Sequence, residues 1–147
     1  MSATLAATAR TFQPAATAPT PVGDTVLIVE DDQAIGTLLK LLLAPLAPRV
    51  VHLRDGAACV RWFTENAAAT GLVVMDCGLP DAHGGTLAHR LRTQVPALPI
   101  LVTSGRPQPD VVRLLAADGP VDFLAKPFRP ADVATRVRAL LASRAAA

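Results

Sequence analysis

Four places in the chain combine a short apolar run with a polar residue directly behind it. Glu30, Asp31 and Asp32 follow Val26-Leu27-Ile28-Val29. Asp76 follows Leu72-Val73-Val74-Met75, Thr103 follows Ile100-Leu101-Val102, and Lys126 follows the run from Val121 to Ala125. Gathered together, these residues would supply three or four carboxylates, one hydroxyl and one ammonium. Two carboxylates 4 Å apart repel by about 4 kcal/mol at an effective dielectric near 20. Such a group protonates or recruits a cation, and an all-oxygen site with an open side suits Mg²⁺. A carboxylate can also act as a nucleophile and form an aspartyl phosphate. Asp76, alone behind its apolar run, is the candidate. Lys126 and the metal would neutralise charge on phosphoryl oxygens, and Thr103 would donate a hydrogen bond to one of them.

The elements that must position these residues are legible in the apolar pattern. Short apolar runs bounded by turn signals read as strands buried on both faces. A fifth and weaker run is Val50-Val51-His52-Leu53, closed by Asp55-Gly56. Between the runs, apolar residues fall at helical spacing: Ile35, Leu38, Leu39, Leu42 and Leu43; Ala57, Val60 and Phe63; Leu87, Leu91 and Val95; Val111, Val112, Leu114 and Leu115 after Pro109-Asp110; and Val133, Val137, Leu140 and Leu141 after Pro130. Five strands alternating with five helices predict an α/β fold with a doubly wound parallel sheet. Ligands of such sheets bind beyond the carboxyl ends of the strands, where all the polar candidates fall.

Composition narrows the function classes. The chain has 147 residues, of which 51% are hydrophobic and 18% charged, enough apolar surface for one folded domain. Aromatics are only 3%, too few for a base-stacking platform, and the net charge of +2 is not gathered in a stripe, so no direct nucleic-acid contact is expected. No apolar run has the length of a membrane span. Two cysteines, Cys59 and Cys77, make neither a disulfide framework nor a thiolate zinc site, and a reducing, cytoplasmic location is expected. Residues 1–24 are rich in Ala, Thr and Pro and read as a disordered tail. The folded unit is expected over 25–144, with a frayed end at 145–147. The chain has twelve Arg but only Lys40 and Lys126 as lysines, which suggests that a compact ammonium is needed at 126.

Four segments in order, VLIVEDD (26–32), VMDCGLPDAHG (74–84), ILVTSG (100–105) and FLAKPF (123–128), resemble the receiver domain of two-component response regulators. The resemblance covers about residues 25–143. It implies a flavodoxin-like (βα)5 fold with strand order 2-1-3-4-5 and a cis bond between Lys126 and Pro127. It implies Asp76 as phosphoacceptor. Glu30, Asp31, Asp76 and the backbone carbonyl of Gly78 become the Mg²⁺ ligands. Thr103 and Phe123 become the switch pair, and Lys126 binds the phosphoryl group. A histidine kinase or histidine phosphotransfer protein would be the donor. A downstream protein would read the face made by the fourth helix, fifth strand and fifth helix, and a homodimer is compatible with this. The phosphoryl group would draw Thr103 inward and vacate space for Phe123.

Gly78 and Gly105 offer no side chain to guide or block water, and Phe123 lacks a tyrosine hydroxyl. Gly119-Pro120 before the last strand is unusual. The chain stops about 20 residues after Lys126, from which a stand-alone receiver is expected, with no activity beyond its own phosphorylation and dephosphorylation. A pseudo-receiver acting without phosphate is an alternative, opposed by the intact acids and lysine. An aspartyl-nucleophile phosphatase is another, opposed by Gly78 where those enzymes carry a second Asp. Asp32 reads as a helix N-cap rather than a ligand. Arg90, Arg92, Arg129, Arg136 and Arg138 read as solvated faces, with Arg136 able to pair across a dimer. Cys59 reads as a buried apolar residue, Cys77 as a loop residue without redox chemistry, and His52, His83 and His89 have no assigned role.

Overall fold

The structure, a computed structural model, describes residues 23–145. The expected tail therefore lies outside the described residues except for Gly23 and Asp24. Of the expected frayed end, only Ala145 is described, as the last residue of a helix.

Strands and helices alternate: β1 (Thr25–Val29), α1 (Gln33–Leu43), β2 (Arg49–Leu53), α2 (Gly56–Asn66), β3 (Thr70–Asp76), α3 (Gly84–Gln94), β4 (Ile100–Ser104), α4 (Pro109–Ala116), β5 (Val121–Ala125) and α5 (Pro130–Ala145). All strands are parallel, in the order β2-β1-β3-β4-β5. This is the predicted flavodoxin-like arrangement. The central strands β1, β3 and β4 are buried along their whole length, whereas the edge strands β2 and β5 are mostly half-buried. Edge position accounts for the weaker apolar signal of β2.

Alternation along each strand divides the core into two layers. Leu27, Val29, Val73, Met75, Ile100 and Val102 face α2, α3 and α4, where Phe63, Leu91 and Leu115 meet them. Val26, Ile28, Leu72, Val74 and Leu101 face α1 and α5, where Leu39, Leu43, Val133 and Val137 meet them. Burying one such leucine stabilises the fold by about 2 kcal/mol. The first three helices start where side chains cap them. Asp32 Oδ1 accepts from the Ile35 N–H at 2.9 Å, as its N-cap reading predicts, and Asp55 Oδ1 accepts from the Ala58 N–H at 2.7 Å. His83 Nδ1 accepts from the Gly85 N–H at 3.2 Å.

Two expectations for arginines are corrected. Arg92 is not on a solvated face but 5% exposed. Its guanidinium donates to the carbonyls of Leu98 (3.0 Å), Pro120 (2.6 Å) and Leu115. The end of α3, the end of α4 and the approach to β5 thus converge on one side chain. This explains Gly119: a Cβ there would lie 2.9 Å from Ala97 Cα and 3.2 Å from the Arg92 guanidinium. Arg136, expected on a solvated face, is half-buried and pairs with Asp122 Oδ1 at 2.8 Å.

Candidate functional site

The carboxyl ends of β1, β3, β4 and β5 bring Glu30, Asp31, Asp76, Thr103 and Lys126 to one rim. Asp76 ends β3, and its register partner on β4 is Thr103. Glu30 and Asp31 follow β1 directly. Lys126 follows β5, and the bond to Pro127 is cis. Glu30, Asp76 and Thr103 are all buried, Thr103 to 1% exposure.

The rim is short of positive charge. Lys126 Nζ lies 2.7 Å from Glu30 Oε2 and 3.4 Å from Asp76 Oδ1. Burial pushes the Glu30 carboxyl above its ordinary pKa, against the hydrogen bonds from Lys126 and the Asp32 N–H, and the Asp76 charge adds to the rise. Burial works against the Lys126 ammonium, but Glu30 and Asp76 outweigh it and hold its pKa above the ordinary lysine value. The ammonium therefore stays charged at neutral pH.

Glu30, Asp31 and Asp76 each offer a carboxylate oxygen, and these lie within 4.8 Å of one another. Three hard anionic oxygens at that separation fit Mg²⁺, which binds carboxylates and keeps several waters. A cleft of about 410 Å³ lined by Asp31, Arg54, Asp55 and Pro80 opens beside them. Asp32 points its carboxylate into the helix cap instead. The Gly78 N–H donates to Asp76 Oδ1 at 3.2 Å.

The Thr103 hydroxyl is buried and has no hydrogen-bond partner. Such groups are rare, because a buried hydroxyl without a partner destabilises the fold. It sits beside Asp76 as an unused donor. Phe123 is not at the rim. It pairs in register with Val102 and packs on the α2–α4 layer, whereas the register partner of Thr103 is Leu124, in the other layer. The Phe123 ring helps line a groove of about 420 Å³ with Pro107, Gln108, Pro109, Val112 and Arg113.

Sequence reasoning missed the supports of the rim. Asp81 accepts from the N–H groups of Gly56 (2.7 Å) and Ala57 (3.0 Å), tying the loop after β3 to α2. His52 and Arg54 bond main-chain carbonyls of the acidic loop. Backbone partners have no residue type, so spacing alone does not reveal them. Cys77, next to Asp76, is buried. Burial first, then the Asp76 charge, pushes its thiol up to about 11, so it is protonated and inert at neutral pH.

A doubly wound parallel sheet with an acid cluster, a hydroxyl and a lysine at its carboxyl rim defines the class. Residues 26–138 match the response regulator receiver domain family, and the chain belongs to that family. Among its relatives is the transcriptional regulatory protein CreB of Escherichia coli (strain K12), 35% identical over 119 residues, which cover 80% of this chain and 51% of the relative. Another is the transcriptional regulatory protein PhoP of the same organism, 32% identical over 117 residues, 79% of this chain and 51% of PhoP. The chain spans about half the length of these curated relatives. The crystal structure of a response regulator receiver domain protein from Clostridium thermocellum shares the fold, with a TM-score of 0.74, 20% identity, and coverage of 83% of this chain and 97% of that one. Among the described residues, no helix is long and apolar enough to cross a membrane.

Proposed function

We propose that Asp76 accepts a phosphoryl group from a phosphohistidine donor, a histidine kinase or a histidine phosphotransfer protein. An Asp76 carboxylate oxygen attacks phosphorus, the P–N bond to the donor imidazole breaks, and the imidazole leaves with a proton. The observation that carries this reading is the pairing of Asp76 with Thr103 across β3 and β4, with Lys126 Nζ 3.4 Å from the carboxylate and the Thr103 hydroxyl free to donate. Lys126 supplies positive charge to the transferred group, and Thr103 supplies a hydrogen bond.

Glu30, Asp31, Asp76 and the backbone carbonyl of Gly78 are the residues that would hold Mg²⁺. Bound there, the cation would neutralise charge on the phosphoryl oxygens. Engagement of Thr103 biases the segment from β4 to α4. Phe123 and the groove beside it then change their population of binding-competent states for a downstream protein at α4, β5 and α5. Because Thr103 and Phe123 serve opposite layers, the signal must pass through the β4 backbone and the loop after it. The functional unit spans 25–144 and works in the cytoplasm, where Cys59 and Cys77 stay free thiols.

Mass spectrometry after incubation with Mg²⁺ and acetyl phosphate tests the assignment. Wild type gains one phosphoryl group, and Asp76→Asn gains none. Equal labelling of the two chains would refute Asp76 as the acceptor.

A further inference from the structure

The acidic pair depends on the main chain that carries it, and that main chain is held from β2. Glu30 extends the sheet ladder by one bond, its N–H donating to the Leu53 carbonyl at 3.0 Å. Beyond that point side chains take over. His52 Nε2 lies 2.8 Å from the Glu30 carbonyl oxygen. Arg54 donates through Nε (3.2 Å) and Nη2 (3.1 Å) to the Asp31 carbonyl oxygen. A carbonyl only accepts, so His52 carries its proton on Nε2.

A second observation shows that the fold makes room for this contact. The imidazole of His52 occupies the space over Gly36 in α1. A Cβ on residue 36 would lie 1.9 Å from His52 Cε1 and 2.1 Å from Nε2. Glycine in a helix interior is unfavourable relative to alanine. Here it is required for the ring to reach the Glu30 carbonyl. The Glu30 side chain has further supports, at Lys126 and at the Asp32 N–H (3.1 Å). For Asp31 the support described is on its main chain.

We propose that His52 and Arg54 are positioning residues: they fix the peptide planes of Glu30 and Asp31 and so aim both carboxylates at the cation. The inference rests on the reading of those two acids as metal ligands. Groups that orient ligands from behind commonly change metal affinity by about tenfold or more when removed.

Isothermal titration of the full chain with MgCl₂, alongside urea unfolding, tests this. His52→Leu fills the space but cannot donate, and should weaken Mg²⁺ binding about tenfold. His52→Gln, whose amide can donate to the same carbonyl, should recover most of the loss. A merely structural role would lower the urea midpoint without this pattern of loss and rescue. Arg54→Met lies at an exposed position, keeps the fold whether or not His52→Leu does, and should show a smaller loss of affinity. Wild-type Mg²⁺ affinity in both His52→Leu and Arg54→Met would overturn the proposal. Asp31→Ala separates the two readings. If it abolishes binding while the other variants bind normally, only the positioning role falls. If it binds Mg²⁺ like wild type, the metal reading falls with it.

Discussion

Replacing Thr103 with Val should stabilise the resting protein and blunt its response to activation. Thr103 is 1% exposed and its hydroxyl has no partner. Burying a hydroxyl without compensation costs about 1–3 kcal/mol. Valine keeps the branched shape and exchanges the hydroxyl for a methyl group, so the resting fold should gain about 1 kcal/mol, or about 4 °C in Tm for a domain of this size. Thr103→Ala also removes the hydroxyl but leaves a gap, and should be less stable than the Val variant. Activation reverses the balance. An anionic phosphoryl mimic gives the wild-type hydroxyl a charge-assisted bond worth about 1.5–3 kcal/mol, and Val cannot make it. Urea unfolding in Mg²⁺, with and without beryllofluoride, measures both terms. Beryllofluoride should stabilise wild type by about 2 kcal/mol more than it stabilises Thr103→Val. A Val variant less stable than wild type at rest, with an undiminished beryllofluoride increment, would show that the hydroxyl is neither strained at rest nor used on activation.

Two further predictions concern residues whose roles differ from their appearance in the chain. Asp32→Ala should keep Mg²⁺ binding, because its carboxylate caps α1, but should lose about 1 kcal/mol of stability in urea. Weaker Mg²⁺ binding without a stability loss would move the ligand assignment to Asp32. Arg92→Met should lower stability by about 3 kcal/mol, since three carbonyls lose a charged donor while relief of guanidinium burial returns part of the loss. An unchanged urea midpoint would mean that those contacts are replaceable.

The rim was legible because the chemistry of a parallel sheet is written at strand ends. Each apolar run stops at the carboxyl end of its strand, so Glu30, Asp76, Thr103 and Lys126 stand out against Val, Leu and Ile. Strand order followed from the resemblance, and β2 read faintly because an edge strand needs less apolar surface. Arg92 was illegible for a specific reason. It lies one residue beyond Leu91 on the buried stripe of α3, and its partners are carbonyls up to 28 residues away. Its signature is Gly119, whose meaning emerges only beside the guanidinium. Likewise Gly36 looks like a weak point of α1 until His52 is seen over it. Glycines standing where a helix or turn would prefer another residue were the available signal for both supports.

Charge at the rim links these features to the switch. Glu30, Asp31 and Asp76 bring three negative charges, and Lys126 brings one positive charge. Arg54 and Asp55, which line the same cleft, offset each other, so the shortfall of two is that of a divalent cation. Lysine suits this geometry better than the arginine used elsewhere in the chain. Its ammonium reaches Glu30 at 2.7 Å and Asp76 at 3.4 Å, whereas a planar guanidinium favours pairing with one carboxylate at a time. Under the proposed function, phosphorylation turns the single charge of Asp76 into nearly two and adds acceptor oxygens. The ammonium is then contested between Glu30 and the phosphoryl group, and beside it the Thr103 hydroxyl is a buried side-chain donor without a partner among the described residues. A site with a surplus of donors could absorb a phosphoryl group without moving. In this reading the partnerless Thr103 hydroxyl gains an acceptor on phosphorylation, and that gain is what would draw β4 into a response.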